Sequence, residues 1–222
     1  MSTLNWSPAR TPEREILEGR FCTLEPLDAA RHGDDLWESF EGAGADPKLW
    51  DYLFAGPFEN RASFDDWLMR QSASKDPQHF AIMSHALGKA VGSLSLMNIV
   101  PANGSIEIGN VTYGATMQRT PISTEAIFLL ARYAFDRLGN RRLEWKCDDR
   151  NARSKRSAER FGFTYEGTFR QHMVIKGHNR DTAWFAIIDG DWPVIRAGFE
   201  RWLAAKNFDE GGVQRERLEA LR

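Results

Sequence analysis

The stretch Gln118-Arg119-Thr120-Pro121-Ile122-Ser123-Thr124-Glu125-Ala126 lies between a strand-like run, Ser105–Tyr113, and a helix-like run, Ile122–Leu138. Thr120 is placed to cap that helix, and Pro121 suits its first position, where the missing N–H has no intrahelical partner to lose. A strand that turns directly into a helix aims several unpaired backbone N–H groups at one point. The positive end of the helix dipole adds to their pull, so an anion, above all a phosphate, is the expected ligand. Neither Gly-x-x-x-x-Gly-Lys-Ser/Thr nor Gly-x-Gly-x-x-Gly occurs here, which sets aside two familiar phosphate loops. In the preceding strand, simple alternation puts Glu107, Gly109, Val111 and Tyr113 on one face, and Ile106, Ile108, Asn110 and Thr112 on the other. A carboxylate two places from a glycine has open space beside it, enough for a water. Glu107 is therefore a candidate general base, directly or through one water; the competing reading is an edge-strand carboxylate in a salt bridge.

A second group runs from Asp148 to Ser154 and is followed by Phe161-Gly162-Phe163. Asn151 caps a short helix there, and Ser154, Ala158 and Phe161 share one helical face. The Ser154 hydroxyl is either a further capping contact or a proton donor. Arg119, Arg150, Arg153, Lys155, Arg156 and Arg160 make either a solvated basic face or, in part, an anion-binding one. Arg170-Gln171-His172 and Asn179 to Trp184 read as a polar network between paired strands. His172 and His178 are rival bases, although a strand histidine is ordinarily structural. Trp50, Tyr52, Phe54 and Phe58 have neither strand nor helix period, and lie in a loop that either packs or shapes a pocket.

The elements that must position these groups follow in order. A lead-in, 1–18, is expected to be poorly ordered. Arg20–Leu27 is a strand, and Asp28 opens a helix toward Phe40. Ser63 caps a second helix to about Ser72. Strands at His79–Ser84, Ala90–Val100 and Ser105–Tyr113 are joined at Gly88-Lys89 and Ala102-Asn103-Gly104. The central helix from Pro121 stops at Gly139-Asn140. Then come a strand at Arg142–Cys147, the Asn151 helix, two strands (Phe163–Ile175 and Asp181–Ile188) and a helix opened by Asp191-Trp192-Pro193. A polar tail, 207–222, ends the chain. The expectation is one domain over 19–206, of α/β (α+β) class. It has a single mixed, mostly antiparallel sheet of about seven strands with helices on both faces, and one parallel crossover between Ser105 and Phe161.

The loop Gln118 to Ala126 resembles the acyl-CoA loop of the GCN5-related N-acetyltransferase (GNAT) superfamily, Gln/Arg-x-x-Gly-x-Gly/Ala followed by Thr-Glu-Ala. Gln118 stands first, Pro121 and Ser123 take the two glycine positions, and Thr124, Glu125 and Ala126 follow in register. Asn151-x-x-Ser154 at a helix start, closed by Gly162-Phe163, matches the superfamily's other signature. The branch it is most similar to is the ribosomal-protein-alanine acetyltransferases. The resemblance covers roughly 19–193 and implies the acyltransferase fold, acetyl-CoA as donor, no metal, and direct attack by a primary amine. That amine would be a protein or peptide N-terminus or, alternatively, that of an antibiotic or metabolite. A non-catalytic acyl-CoA-binding module is a further alternative.

By the same resemblance, the donor would be held by Met117, Gln118, Arg119, Thr120, Ile122, Ser123 and Thr124. Asn151 would touch the pantetheine amide, and Arg153 with Arg119 the phosphates. A backbone N–H near Val111 or Tyr113, exposed by a splay between that strand and Arg142–Cys147, would polarise the thioester carbonyl. Ser154 would return a proton to the departing thiolate. Trp50, Tyr52 and Phe54 would shape the acceptor pocket.

The bulk numbers agree with this. A chain of 222 residues with 42% hydrophobic and 27% charged residues suits one well-filled core. A net charge of −2 provides no field to recruit nucleic acid or anionic membrane. Cys22 and Cys147 lack metal-ligand spacing, which fits a reducing compartment, and no apolar run approaches a membrane span. A cytoplasmic monomer or homodimer, free of nucleic acid and membrane, is expected.

Overall fold

The computed structural model describes residues 4–222. Eight strands form one sheet: β1 (Leu17–Glu18), β2 (Cys22–Pro26), β3 (Gln78–Ser84), β4 (Lys89–Val100), β5 (Ser105–Tyr113), β6 (Arg142–Asp148), β7 (Thr164–Ile175) and β8 (His178–Ile188). Their order is β1-β2-β3-β4-β5-β6-β8-β7. Every neighbouring pair is antiparallel except β5 and β6, which run parallel. Helices α1 (Ala29–Glu41) and α2 (Arg61–Ala73) cover one face. Helices α3 (Pro121–Arg132), α4 (Ala152–Phe161) and α5 (Trp192–Leu203) bring their apolar sides to the other. The parallel pair follows from the connection, since a strand that returns through α3 re-enters the sheet in the same direction.

The caps show how local chemistry sets these boundaries. Asp28 accepts from the N–H groups of Ala30 and Arg31 at the head of α1. At α2 the cap is Asn60, not Ser63: Asn60 Oδ1 accepts the Ser63 N–H, and the Ser63 hydroxyl turns back to the Asn60 carbonyl. Either residue type can cap, and the one a turn earlier has the extended backbone that capping needs.

Three expectations change in the structure. The eighth strand is β1, two residues of the supposed lead-in that pair Leu17 with Leu24. Residues 4–18 also run against the body of the protein, where the N–H groups of Ala9 and Arg10 donate to the carbonyls of Pro101 and Leu138. The tail is packed as well. Leu218 is fully buried, Asn207 is buried, and the Trp202 indole donates to Gln214 Oε1. Phe208, Leu218 and Leu221, scattered through a polar stretch, carry no periodicity, so their anchoring role is visible only in three dimensions.

The third change concerns β5. Ser93 pairs with Thr112 but Ser95 with Gly109, so β5 carries one residue more than β4 there. The extra residue falls at Asn110, whose φ is +50°. A bulge of this kind resets alternation. Glu107 faces the α1–α2 side, whereas Val111 and Tyr113 join Ile106 and Ile108 against the core under α3. A second irregularity, on β4 between Met97 and Val100, holds Asn98 at φ +49° next to Met97, the residue that pairs with Glu107.

Candidate active site

Strands β5 and β6 pair at only three positions, Ser105 with Arg142, Ile106 with Leu143 and Glu107 with Glu144. Beyond Glu107 the two strands part, so the backbone groups that β5 turns toward β6 have no ladder partner. The fork opens into a cavity of about 1340 Å³. Its walls come from β5, β6, β8, the heads of α3 and α4, and the 46–54 loop.

At the head of α3, Thr120 holds the N-cap position without capping. Its hydroxyl donates to the Met117 carbonyl at 2.7 Å, and the Ser123 hydroxyl donates to the Thr120 carbonyl at 2.8 Å. Pro121 has no N–H, and the N–H groups of Ile122, Ser123 and Thr124 receive no side-chain cap among the described residues. Such a helix head is a ready receptor for phosphate oxygens. Arg119 adopts φ +62° as the chain turns into the helix.

Of the residues assigned to the donor, Val111, Tyr113, Gln118, Arg119, Ser123, Asn151 and Arg153 line the cavity. Met117 and Thr124 are buried, and Thr120 and Ile122 flank the opening without lining it. Arg153 points outward and pairs with Asp46 at 3.5 Å. Arg160 stands closer to the helix head: its Nη1 donates to Thr124 Oγ1 at 2.9 Å and its guanidinium lies over the rings of Phe161 and Trp202. Burial lowers the Arg160 pKa. In the sequence it is one basic residue among six, and only packing separates it from the solvated ones.

Asn151 caps α4 as expected, with Oδ1 accepting the Ser154 N–H at 3.0 Å. The Ser154 hydroxyl accepts from Trp145 Nε1 at 2.9 Å, a bond that leaves its own proton free to be donated. Cys147 lines the same wall, its thiol pKa raised by burial.

Glu107 is 4% exposed. Its Oε2 accepts from Lys146 Nζ and from Asn98 Nδ2, both at 2.6 Å. Both bonds fall on that one oxygen, which leaves Oε1 as the atom for a water or an amine. Lys146 also pairs with Glu144 at 2.7 Å and lies 4.0 Å above the Trp184 ring. Glu144 is linked to Arg142, which reaches Glu166 at the surface. Sequence reading misses Lys146 and Asn98, because both meet Glu107 only through strand register. Glu107 also belongs to an inner strand, not an edge, although it does form the ion pair.

The aromatic loop divides. Tyr52 and Phe54 line the cavity, whereas Trp50 is 4% exposed and packs edge-on against Phe40, Phe58 and Trp67. Trp50 is therefore a core residue, taken up by an aromatic cluster under α1 and α2. Its carbonyl and that of Ala55 both accept from Lys176 Nζ at 3.0 Å, which ties the loop to the β7–β8 turn. His172 lines the cavity with Nδ1 3.0 Å from Thr182 Oγ1. His178, at the exposed start of β8, does not.

Among the described residues no helix is long and apolar enough to cross a membrane, and no cluster of His, Cys, Asp and Glu could hold a metal. Residues 23–164 match the family model described as Acetyltransferase (GNAT) domain. A Bacillus subtilis protein named as a probable N-acetyltransferase, YjcK, is 30% identical over 187 residues, 79% of this chain and 98% of that protein. A crystal structure of a GCN5-related N-acetyltransferase from Brucella melitensis superposes with a TM-score of 0.93 at 49% identity, covering 98% of each chain. A probable acetyltransferase from Chromobacterium violaceum gives 0.79 at 41% identity, over 87% of this chain and 96% of that one. With the forked parallel pair, the uncapped head of α3 and this extent of similarity, the chain belongs to the GNAT family of acetyltransferases.

Proposed function

We propose that the chain moves an acetyl group from acetyl-CoA directly to a primary amine, and that the amine is the N-terminus of a protein or peptide. The fork between β5 and β6 carries this reading. It puts unpaired strand backbone, a helix head suited to phosphate and a carboxylate on the walls of one cavity. The N–H groups of Ile122, Ser123 and Thr124, with Arg160 beside them, suit the diphosphate of the donor. Outward β5 amides near Val111 and Tyr113 suit the carbonyl oxygen as it gathers charge.

The acceptor side follows from Glu107. Its Oε1, directly or through one water, takes a proton from the acceptor's ammonium form; the free amine nitrogen then bonds the acetyl carbon and gives its second proton to solvent as the C–S bond breaks. Ser154 lies across the fork and supplies the proton that the departing thiolate needs. On this account Ser154→Ala lowers kcat about tenfold, below the full range of general acid catalysis because water can enter in its place. The KM for acetyl-CoA should change little; steady-state kinetics checks both. An unchanged kcat would leave Ser154 as a partner of the Trp145 indole alone.

Support for a peptide acceptor comes from a second Bacillus subtilis relative, YdaF, whose name assigns it to ribosomal N-acetylation. It is 27% identical over 177 residues, 76% of this chain and 90% of that protein. Thiol release from acetyl-CoA is to be measured against peptides with free N-termini, N-blocked peptides with a free lysine, and small polyamines or aminoglycosides. Turnover confined to free N-termini is expected. Turnover with the small amines alone would replace the acceptor, and coenzyme A binding without any turnover would replace the enzyme by a binding module.

A further inference from the structure

Arg180 is a buried cation without a carboxylate of its own. It stands on β8, is 7% exposed, and donates from Nε to Thr182 Oγ1 at 3.1 Å. No Asp or Glu among the described residues forms an ion pair with it. The nearby Asp148 is already taken by Arg150, which reaches both carboxylate oxygens at 2.9 and 3.1 Å and adds its backbone N–H. The Phe54 ring covers the guanidinium at 5.5 Å. A charge withdrawn from water to this extent is costly unless an opposite charge meets it.

What could meet it comes from the cavity, which Arg180 lines. Arg180, Thr182 and Trp184 alternate onto one face of β8. That face also meets Glu107, since Lys146 bonds Glu107 while lying above the Trp184 ring. One wall therefore has a carboxylate at one place and an unmatched guanidinium further along. An acceptor that offers an amine to the first and an acid group to the second satisfies both. A planar guanidinium fork fits a carboxylate in particular.

We propose that Arg180 receives a carboxylate carried by the acceptor, so that the chain selects amines whose skeleton bears an acid group; this rests on the cavity being the acceptor site described above. The carboxylate can belong to an acidic side chain beside the N-terminal residue or to the free end of a short peptide or amino acid. Three dipeptides with the same N-terminal amine separate these sources: Ala-Gln-amide has no carboxylate, Ala-Glu-amide has it on the second side chain, and Ala-Gln has it at the C-terminus. Their kcat/KM values are to be measured on the full chain, and their binding by calorimetry with and without coenzyme A.

One of the two acidic peptides is expected to exceed the neutral one by about tenfold or more, through KM and in binding, as a charge-assisted pair should. In Arg180→Gln the preference should shrink to within about twofold, in Arg180→Lys part of it should survive, and the KM for acetyl-CoA should stay within about twofold in both. Equal treatment of the three peptides by the unaltered chain overturns the proposal without recourse to any variant. So does a preference that persists in Arg180→Gln, a rise in the acetyl-CoA KM, or a failure of all three peptides to bind. Binding with the expected preference but no thiol release would instead sink the acetyl-transfer reading and leave the Arg180 assignment standing.

Discussion

Glu107→Gln should lower kcat by about 100-fold for an α-amine acceptor and by more for an alkyl ammonium, with the KM for acetyl-CoA nearly unchanged. The two acceptors differ because of their own acidity. An α-amine with a pKa near ~7.7 is largely neutral at pH 8, whereas a lysine amine near ~10.4 is neutral in fewer than about one molecule in a hundred. Removing the base therefore costs the second acceptor more. The variant's rate should climb about tenfold per pH unit up to the pKa of the acceptor and then level, since only the free amine reacts. Glutamine keeps the shape of the side chain and can still accept from Lys146 or Asn98 through its amide oxygen. The comparison therefore isolates the loss of a proton acceptor. A variant that loses less than about threefold at every pH would reduce Glu107 to the partner of Lys146 and move the base elsewhere, with His172 next to be examined.

The largest expected loss of stability is at Glu125. It is 3% exposed on α3, and its carboxylate accepts three consecutive backbone N–H groups, those of Arg20, Phe21 and Cys22, at 2.7, 2.6 and 2.8 Å. The chain between β1 and β2 wraps around it so closely that a Cβ on Gly19 would fall 2.5 Å from Glu125 Cδ. Burial beside this carboxylate also raises the Cys22 pKa. In Glu125→Ala three amides lose a charged acceptor together. The cost should be about 3–5 kcal/mol, above that of an ordinary hydrogen bond because the partners stay buried and unmatched. For a chain of this size the thermal midpoint falls by roughly 6–20 °C, a shift that circular dichroism resolves. The same contact holds α3 against the β1–β2 edge, so the KM for acetyl-CoA should rise in any variant that still folds. A loss below about 1 kcal/mol would show that water replaces the carboxylate and that the three amides were never sealed.

The two residues also show how sequence and structure divide the information. Glu107 could be singled out from its strand and the glycine two places on, and Asn151 as a cap, because those features depend on neighbours in the chain. The family resemblance rested on loop 118–126 and the Asn151–Ser154 pair, and extended the reading to the donor and the fold. The caps at Asp28 and Asn151 and the parallel crossover were local in the same sense: nearby residues and short connections set them. Alternation failed at Val111 and Tyr113. The bulge at Asn110 is fixed by how β5 pairs with β4, and no residue within β5 announces it.

Tertiary structure alone decided the partners of each charge. Lys146 meets Glu107 because Glu107 pairs with Glu144 in the parallel register, Arg160 reaches the head of α3 because α4 packs beside it, and Trp50 is lost to a cluster gathered from three segments. Pairing across distant segments depends on register and packing, which sequence periodicity constrains by face but not by neighbour. The residues that can do chemistry were thus written along the chain. Which proton acceptor is free, which cation is unmatched and where the sheet opens were settled when the strands chose their partners.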